Sequence, residues 1–352
     1  MWSKEERSLL WLDSFLLEPA FKHSLLRRAG SAVALVKGFA AFADAFSDQD
    51  IFQKMQETLV DGEYFGCLQK RLEKEGITPL FFGGEGYPAE WLALPDAPLC
   101  LYAKGDLDLL KQRRFAVVGS RRTAENARKL GESIAKALCD CFAVVSGSAD
   151  GGDEAAMKGG LLGGKAICFL AGGFGSAPKE NPLLPSVEKE GLVVAACPLD
   201  TPVRVYSYEY RNKLLAALCE GVLVLGAAKK SGALITAKYA KAFQKSVFAI
   251  PYAPSVAAGE GCNALIKEGA YLTETAQDVL EKYGFAAEQR PAAVLSESEK
   301  KLLDALTQRG EMHVAELSKS LGVPTFKLSA TLSSLEVKGL VVKIGGNRYS
   351  AV

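Results

Sequence analysis

Histidine is nearly missing from this chain: 352 residues hold two, His23 and His313. Neither falls within residues 113–280, so no Ser-His or Cys-His nucleophile is available in that stretch. The eight cysteines, at positions 67, 100, 139, 141, 168, 197, 219 and 262, include no Cys-x-x-Cys pair. With no histidine near a cysteine pair, a zinc site is not expected. Most of the cysteines sit inside apolar runs, as buried reduced thiols of a cytosolic protein do. No apolar run approaches about 18 residues, so no membrane span is expected. The first seven residues are charged and include the acidic Glu5 and Glu6, unlike a signal peptide. The expected compartment is the cytoplasm. An excess of one charge is lacking as well: 42 Lys+Arg face 41 Asp+Glu. Any binding of a polyanion must therefore come from a local patch.

What is present is a change of texture along the chain. Residues 1–75 read as helical. Ser3 and Glu6 fit a capping box, and Leu9, Leu10, Leu12, Phe15 and Leu16 form a wide apolar stripe. Further helices are expected at 21–29, 31–45 and 48–60. Short strands and turns follow over 76–112. Residues 113–280 alternate apolar runs with amphipathic segments. Strands are expected at 115–118, 142–145, 166–171, 192–196, 222–226 and 247–250. Helices are expected at 124–139, 153–162, 182–190, 211–219, 233–244 and 262–268. This alternation predicts an α/β fold with a mostly parallel, doubly wound sheet. Within 111–278, 21 Lys/Arg stand against 16 Asp/Glu, a mildly basic balance. Residues 285–297 read as a linker. Residues 298–352 predict three helices (298–308, 314–321, 325–338) and a hairpin closed by Gly345-Gly346, the outline of a winged helix. The third helix and the hairpin carry few cations. That favours protein contacts or dimerisation over base reading.

The candidate chemistry lies at the turns after the first strands. Gly119-Ser120-Arg121 follows one buried strand and Ser146-Gly147 the next, where an open α/β sheet binds anions. A GxGxxG fingerprint and a Walker A motif are both missing. Asp150, Asp153 and Glu154 suit either acid–base or Mg²⁺ chemistry, or capping of the helix they precede. Arg121, Arg122, Arg204, Arg211, Lys213, Lys229 and Lys230 all follow strands of one sheet, and form a single positive groove if all lie at its carboxyl edge. Tyr206, Tyr208 and Tyr210 alternate among them. In an extended segment they share one side and offer a stacking row for bases, or else pack a loop or subunit contact. The segment Ala171–Glu180 resembles the PGGxGTxxE loop of LOG-type nucleotide phosphoribohydrolases. It keeps a nucleotide-binding or nucleotide-cleaving reading open.

Several motifs in order carry a second, wider resemblance. Gly119-Ser120-Arg121 resembles a GSR motif, and residues 146–156 resemble SGxAxGIDxAA. Arg211-Asn212 resembles the RN of F-P-x-RN-R, and residues 231–237 resemble SGSLxTA. Residues 247–251, residues 261–270, Tyr87-Pro88 and Leu101-Tyr102 with Gly105 fit as well. Over about residues 71–275 the chain is similar to the DprA/Smf DNA-processing proteins. The resemblance implies an extended Rossmann-like domain over 76–284, flanked by an N-terminal helical domain over 1–75 (SAM- or helix-hairpin-like) and a winged-helix domain over 298–352. It also implies a non-enzymatic, cofactor-free homodimer without a membrane anchor. Such a dimer binds single-stranded DNA and hands it to a RecA-type recombinase during natural transformation. The DNA-binding set expected here is Gly119, Ser120, Arg121, Arg122, Ser146, Gly147, Tyr208, Arg211, Asn212, Lys213, Lys229, Lys230, Ser231 and Thr236. Backbone N–H groups at 119–121 and 146–147 join that set. Asp150 stands where the family usually carries a basic residue.

Overall fold

The computed structural model describes residues 2–60, 63–177, 181–285 and 295–351. Most of the expected linker at 285–297 lies outside them. Two compact units result, residues 1–285 and 286–352.

The first unit opens with five helices: α1 (Lys4–Asp13), α2 (Pro19–Ala29), α3 (Ala32–Lys37), α4 (Gln49–Val60) and α5 (Tyr64–Glu75). The capping box at the start of α1 forms as its sequence predicts. Ser3 Oγ accepts from the Glu6 N–H at 3.1 Å, and the Ser3 N–H donates to Glu6 Oε2 at 2.6 Å. The sheet strands are β1 (Thr78–Phe81), β2 (Cys100–Gly105), β3 (Arg114–Val118), β4 (Ala143–Ser146), β5 (Ala166–Phe169), β6 (Leu192–Ala195), β7 (Gly221–Val224), β8 (Ser246–Ala249) and β9 (Tyr271–Leu272). The helices among them are α6 (Glu125–Leu138), α7 (Gly152–Leu162), α8 (Leu184–Glu190), α9 (Val205–Leu218), α10 (Ala233–Ala242), α11 (Glu260–Lys267) and α12 (Ala276–Lys282).

The strand order is β1-β2-β6-β5-β4-β3-β7-β8-β9. All pairings from β6 to β9 are parallel, and β1 and β2 add an antiparallel margin. Side chains of β3 alternate between two cores. Phe115 and Val117 join the cluster that includes Ile134 of α6, Ala156 of α7, Val187 of α8 and Val279 of α12. Ala116 and Val118 join the one that includes Leu214 of α9, Ala237 of α10 and Leu265 of α11. The sheet is therefore covered on both faces, which is why its strands read as continuous apolar runs. The N-terminal helices share the first of these cores, through Trp11, Leu35 and Phe39.

Two expectations are corrected. The chain around Tyr206, Tyr208 and Tyr210 forms the first two turns of α9, not an extended segment. At about 100° per residue Tyr206 and Tyr210 share one face of the helix while Tyr208 lies on the opposite one, so the three form no single stacking row. In the second unit, α13 (Glu297–Arg309), α14 (Val314–Leu321) and α15 (Thr325–Val337) accompany a sheet of order β10-β12-β11 (Met312–His313, Arg348–Ala351, Val341–Gly345). This is a winged helix. Its hairpin turns at Gly346-Asn347, not at Gly345-Gly346. Both turn residues have positive φ, +53° and +58°, as a type I′ turn requires, and Gly345 is drawn into a bulge of β11.

Candidate functional site

The chain reverses its direction across the sheet at β3. From β3 it moves to β4 on one side, while β7 lies on the other. Such a switch point opens a crevice at the carboxyl ends of the strands. The turns after β3 and β7 are tied together there, because the Ser120 N–H donates to the Gly226 carbonyl at 2.8 Å. The start of α7 closes in from the β4 side. The Gly152 N–H donates to the Ser120 carbonyl at 3.1 Å. A Cβ on Gly119 would lie 2.8 Å from Gly152 Cα, and Gly151 adopts φ +83° beneath the same carbonyl. Backbone touches backbone here, so only glycine fits.

Inside this contact sits a buried ion pair. Asp153 Oδ1 accepts from the Gly119 N–H at 3.2 Å, and Asp153 Oδ2 lies 3.8 Å from Arg211 Nη2. Arg211 Nη1 donates to the Phe169 carbonyl at 2.8 Å. Arg211 is 5% exposed and Asp153 6%. A Cβ on Gly147 would run into both groups. Burial pushes the Asp153 carboxyl above its usual range, while Arg211 and the Gly119 N–H pull it back. The donor and the cation that would meet a phosphate at this turn are thus engaged by a carboxylate of the chain itself. Glu154, one residue on, does cap α7, its Oε2 accepting from the Gly151 N–H at 3.5 Å.

Outside the contact the charges are free to meet solvent. Arg121, Arg122, Lys229 and Lys230 are all exposed, on the turns after β3 and β7. Arg121 Nη2 reaches the Tyr208 hydroxyl at 3.5 Å. Lys229 Nζ stands 3.9 Å from Glu260 with its side chain 78% exposed. Ser120, Tyr208 and Ser231 are half-buried at the same edge.

The remaining expected residues lie beneath this layer. Gly119, Ser146, Gly147, Arg211, Asn212 and Thr236 are buried. Asn212 Nδ2 donates to the Gly232 carbonyl at 3.3 Å and so holds the start of α10. Lys213 is bound by both carboxylate oxygens of Asp96, at 2.6 and 2.7 Å. The Tyr210 hydroxyl donates to the Asp96 carbonyl at 2.7 Å. The single positive groove expected from sequence therefore divides: Arg211 and Lys213 are neutralised, and Arg204 stays exposed. The N–H groups of Gly119 and Ser120 are also engaged within the chain. Asp96 and Glu260 were absent from the expected set, and only the folded chain brings them to it. Asp150 is exposed on the second turn. The positions Lys179 and Glu180 of the phosphoribohydrolase-like segment lie outside the described residues.

Nucleophile chemistry gains no support from the thiols. Burial holds Cys139 at about 11 and both Cys168 and Cys262 at about 12. His23 is a core residue, its Nε2 2.9 Å from the Ala97 carbonyl. Among the described residues no group of three His, Cys, Asp or Glu gathers to hold a metal. Nor is any helix among them long and apolar enough to cross a membrane.

Known proteins match this architecture. The family model described as DNA recombination-mediator protein A matches residues 78–284. The model of the sugar-specific transcriptional regulator TrmB matches residues 294–352. The DNA processing protein DprA of Streptococcus pneumoniae is 38% identical over 203 residues, covering 56% of this chain and 72% of that protein. Protein Smf of Escherichia coli is 34% identical over 218 residues, covering 59% of this chain and 57% of that protein. The crystal structure of the S. pneumoniae protein superposes with a TM-score of 0.66 at 29% identity, over 79% of this chain and 97% of that one. A structure describing the single-stranded DNA binding mode of DNA processing protein A from Helicobacter pylori superposes with a TM-score of 0.54 at 26% identity, over 59% of this chain and 95% of that one.

Proposed function

The chain belongs to the DNA recombination-mediator protein A family, and we propose from that premise that it is a single-stranded DNA-binding protein without catalytic chemistry. The observation that carries the reading is the pairing of Arg121-Arg122 with Lys229-Lys230 on two hydrogen-bonded turns at the switch point. Four exposed cations on one edge suit a phosphate backbone, and Tyr208 beside Arg121 offers a ring to a base. Arg211 and Lys213 act one layer down. They fix α9 and the Gly147 turn, so that Arg121 and Tyr208 meet. In the cell we assign the chain to the cytoplasm, as a homodimer that protects incoming DNA and passes it to a RecA-type recombinase in natural transformation.

The self-occupied turn speaks against the nucleotide reading, because Asp153 already holds the N–H that a mononucleotide phosphate would seek. Anisotropy with labelled oligo-dT and with a duplex of equal length tests the proposal. The expected result is binding to the single strand, in preference to the duplex and independent of sequence. No binding at 50 mM salt or a preference for duplex contradicts it. Calorimetric binding of AMP, with release of ribose phosphate, would replace it with the nucleotide reading.

A further inference from the structure

A cleft of about 890 Å³ lies between the N-terminal helices and α9, over the carboxyl ends of β5 and β6. That volume is typical of a built binding site. Its deep lining includes Phe21, Phe46 and Phe169, and its mouth carries Leu16 and Tyr206, 54% and 60% exposed. Three cations line it, and each is engaged within the chain. Lys22 is 3.0 Å from Asp13, Lys213 is 2.6 Å from Asp96, and Arg211 is 3.8 Å from Asp153. The carboxylates at the mouth are different. Glu18, Asp48 and Glu209 have no Lys or Arg partner among the described residues. Asp48 accepts from the Asp50 and Ile51 N–H groups at 3.0 and 3.2 Å, and Glu209 accepts from the Tyr239 hydroxyl at 3.1 Å. Neither contact neutralises the charge.

We infer that this cleft docks a protein partner through a short segment that alternates apolar and basic side chains. Charge selects the occupant. Uncompensated carboxylates at the mouth repel a phosphate backbone, so DNA held at the Arg121 edge does not extend into the cleft. The same carboxylates beside Tyr206 and Tyr239 suit a guanidinium or ammonium group, by ion pairing and by stacking on the rings. The aromatic lining, with Phe46 and Phe169 buried and Phe21 half-buried, suits the apolar side chains of the segment, the kind of anchor that dominates protein interfaces. The inference does not depend on DNA binding and can hold or fail apart from it.

The test uses the full chain and fluorescein-labelled hexapeptides that alternate leucine with arginine, serine or glutamate. The arginine peptide is expected to bind about tenfold more tightly than the serine peptide, and the glutamate peptide least. Glu18→Gln combined with Glu209→Gln should weaken the arginine peptide about tenfold and leave the serine peptide and the melting temperature unchanged. Tyr206→Ser, at an exposed side chain, should weaken both the arginine and the serine peptides. Equal binding of the arginine and serine peptides overturns the inference. So does an unchanged affinity in the double variant. Displacement of the arginine peptide by oligo-dT would place it on the DNA edge instead and equally overturn the cleft as its site.

Discussion

The turn after β4 and the turns after β3 and β7 sit side by side at one sheet edge, yet they use charge in opposite ways. The β4 turn is closed. Its neighbours Arg211 and Asp153 are both nearly inaccessible, and each answers the other. The β3 and β7 turns are open, and their four cations face water. The difference shows how one fold separates holding a site from offering it. A buried charge fixes backbone geometry because leaving it unpaired is costly. An exposed charge fixes little, but it can exchange a counterion for a phosphate.

The comparison breaks most visibly at Arg211. Arg211→Met leaves Asp153 buried without its cation and should cost about 3–5 kcal/mol in urea unfolding. Adding Asp153→Asn should return about half of that loss, a coupling a double-mutant cycle would measure. The pH dependence has a definite sign. Asp153 already titrates above its ordinary range, and losing Arg211 raises it further. A carboxyl with a raised folded pKa contributes stability at low pH that is lost as pH rises through that pKa. Arg211→Met should therefore be less destabilised at pH 5 than at pH 8. Equal loss at both values, or no loss, would move Arg211 out of the structural layer.

Gly152→Ala probes the same inner contact without touching charge. Its Cβ would collide with the Gly119 backbone, which cannot yield as a side chain does. A loss of roughly 1–3 kcal/mol or more is expected, together with weaker DNA binding, because the Arg121 turn shifts. Full stability with full binding would show that the two turns are not packed as described.

The outer layer should respond in affinity alone. Lys229→Ala with Lys230→Ala should weaken oligo-dT binding about tenfold at low salt and change unfolding by less than about 0.5 kcal/mol. A large stability change would mean that these lysines also hold the fold. Asp150→Lys should have the smallest effect, a gain in affinity of about threefold at low salt that fades at high salt. Weakened binding would place the DNA path away from the second turn.

The sequence made the frame of this comparison legible and left its interior hidden. Strands β3, β4, β5, β6, β7 and β8 end within two residues of their expected bounds, because a strand covered on both faces is a continuous apolar run. The start of α9 was not legible. Its first turn is exposed at Val205 and Tyr206, and its last two turns are buried on all sides, so no single apolar stripe runs along it. Strand β9 has two residues and leaves no pattern. Helix α12 did carry a signal, Thr275 followed by Asp278, whose carboxylate accepts from the Thr275 N–H at 2.8 Å. The assignment of cations to inner and outer layers depends on partners far away in the chain. Lys213 meets Asp96 across 117 positions, and no local spacing encodes such a pairing.

The most direct measurement of the central claim is the salt dependence of oligo-dT affinity for the wild-type chain and for the fourfold variant Arg121→Ala, Arg122→Ala, Lys229→Ala, Lys230→Ala. Four phosphate contacts on a single strand predict a slope of log affinity against log salt of about −3, or roughly a 50-fold loss between 50 and 200 mM. The variant should be folded, bind weakly and show a slope near zero. A variant that keeps the wild-type slope and affinity would contradict the assignment of the open turns as the DNA-binding edge.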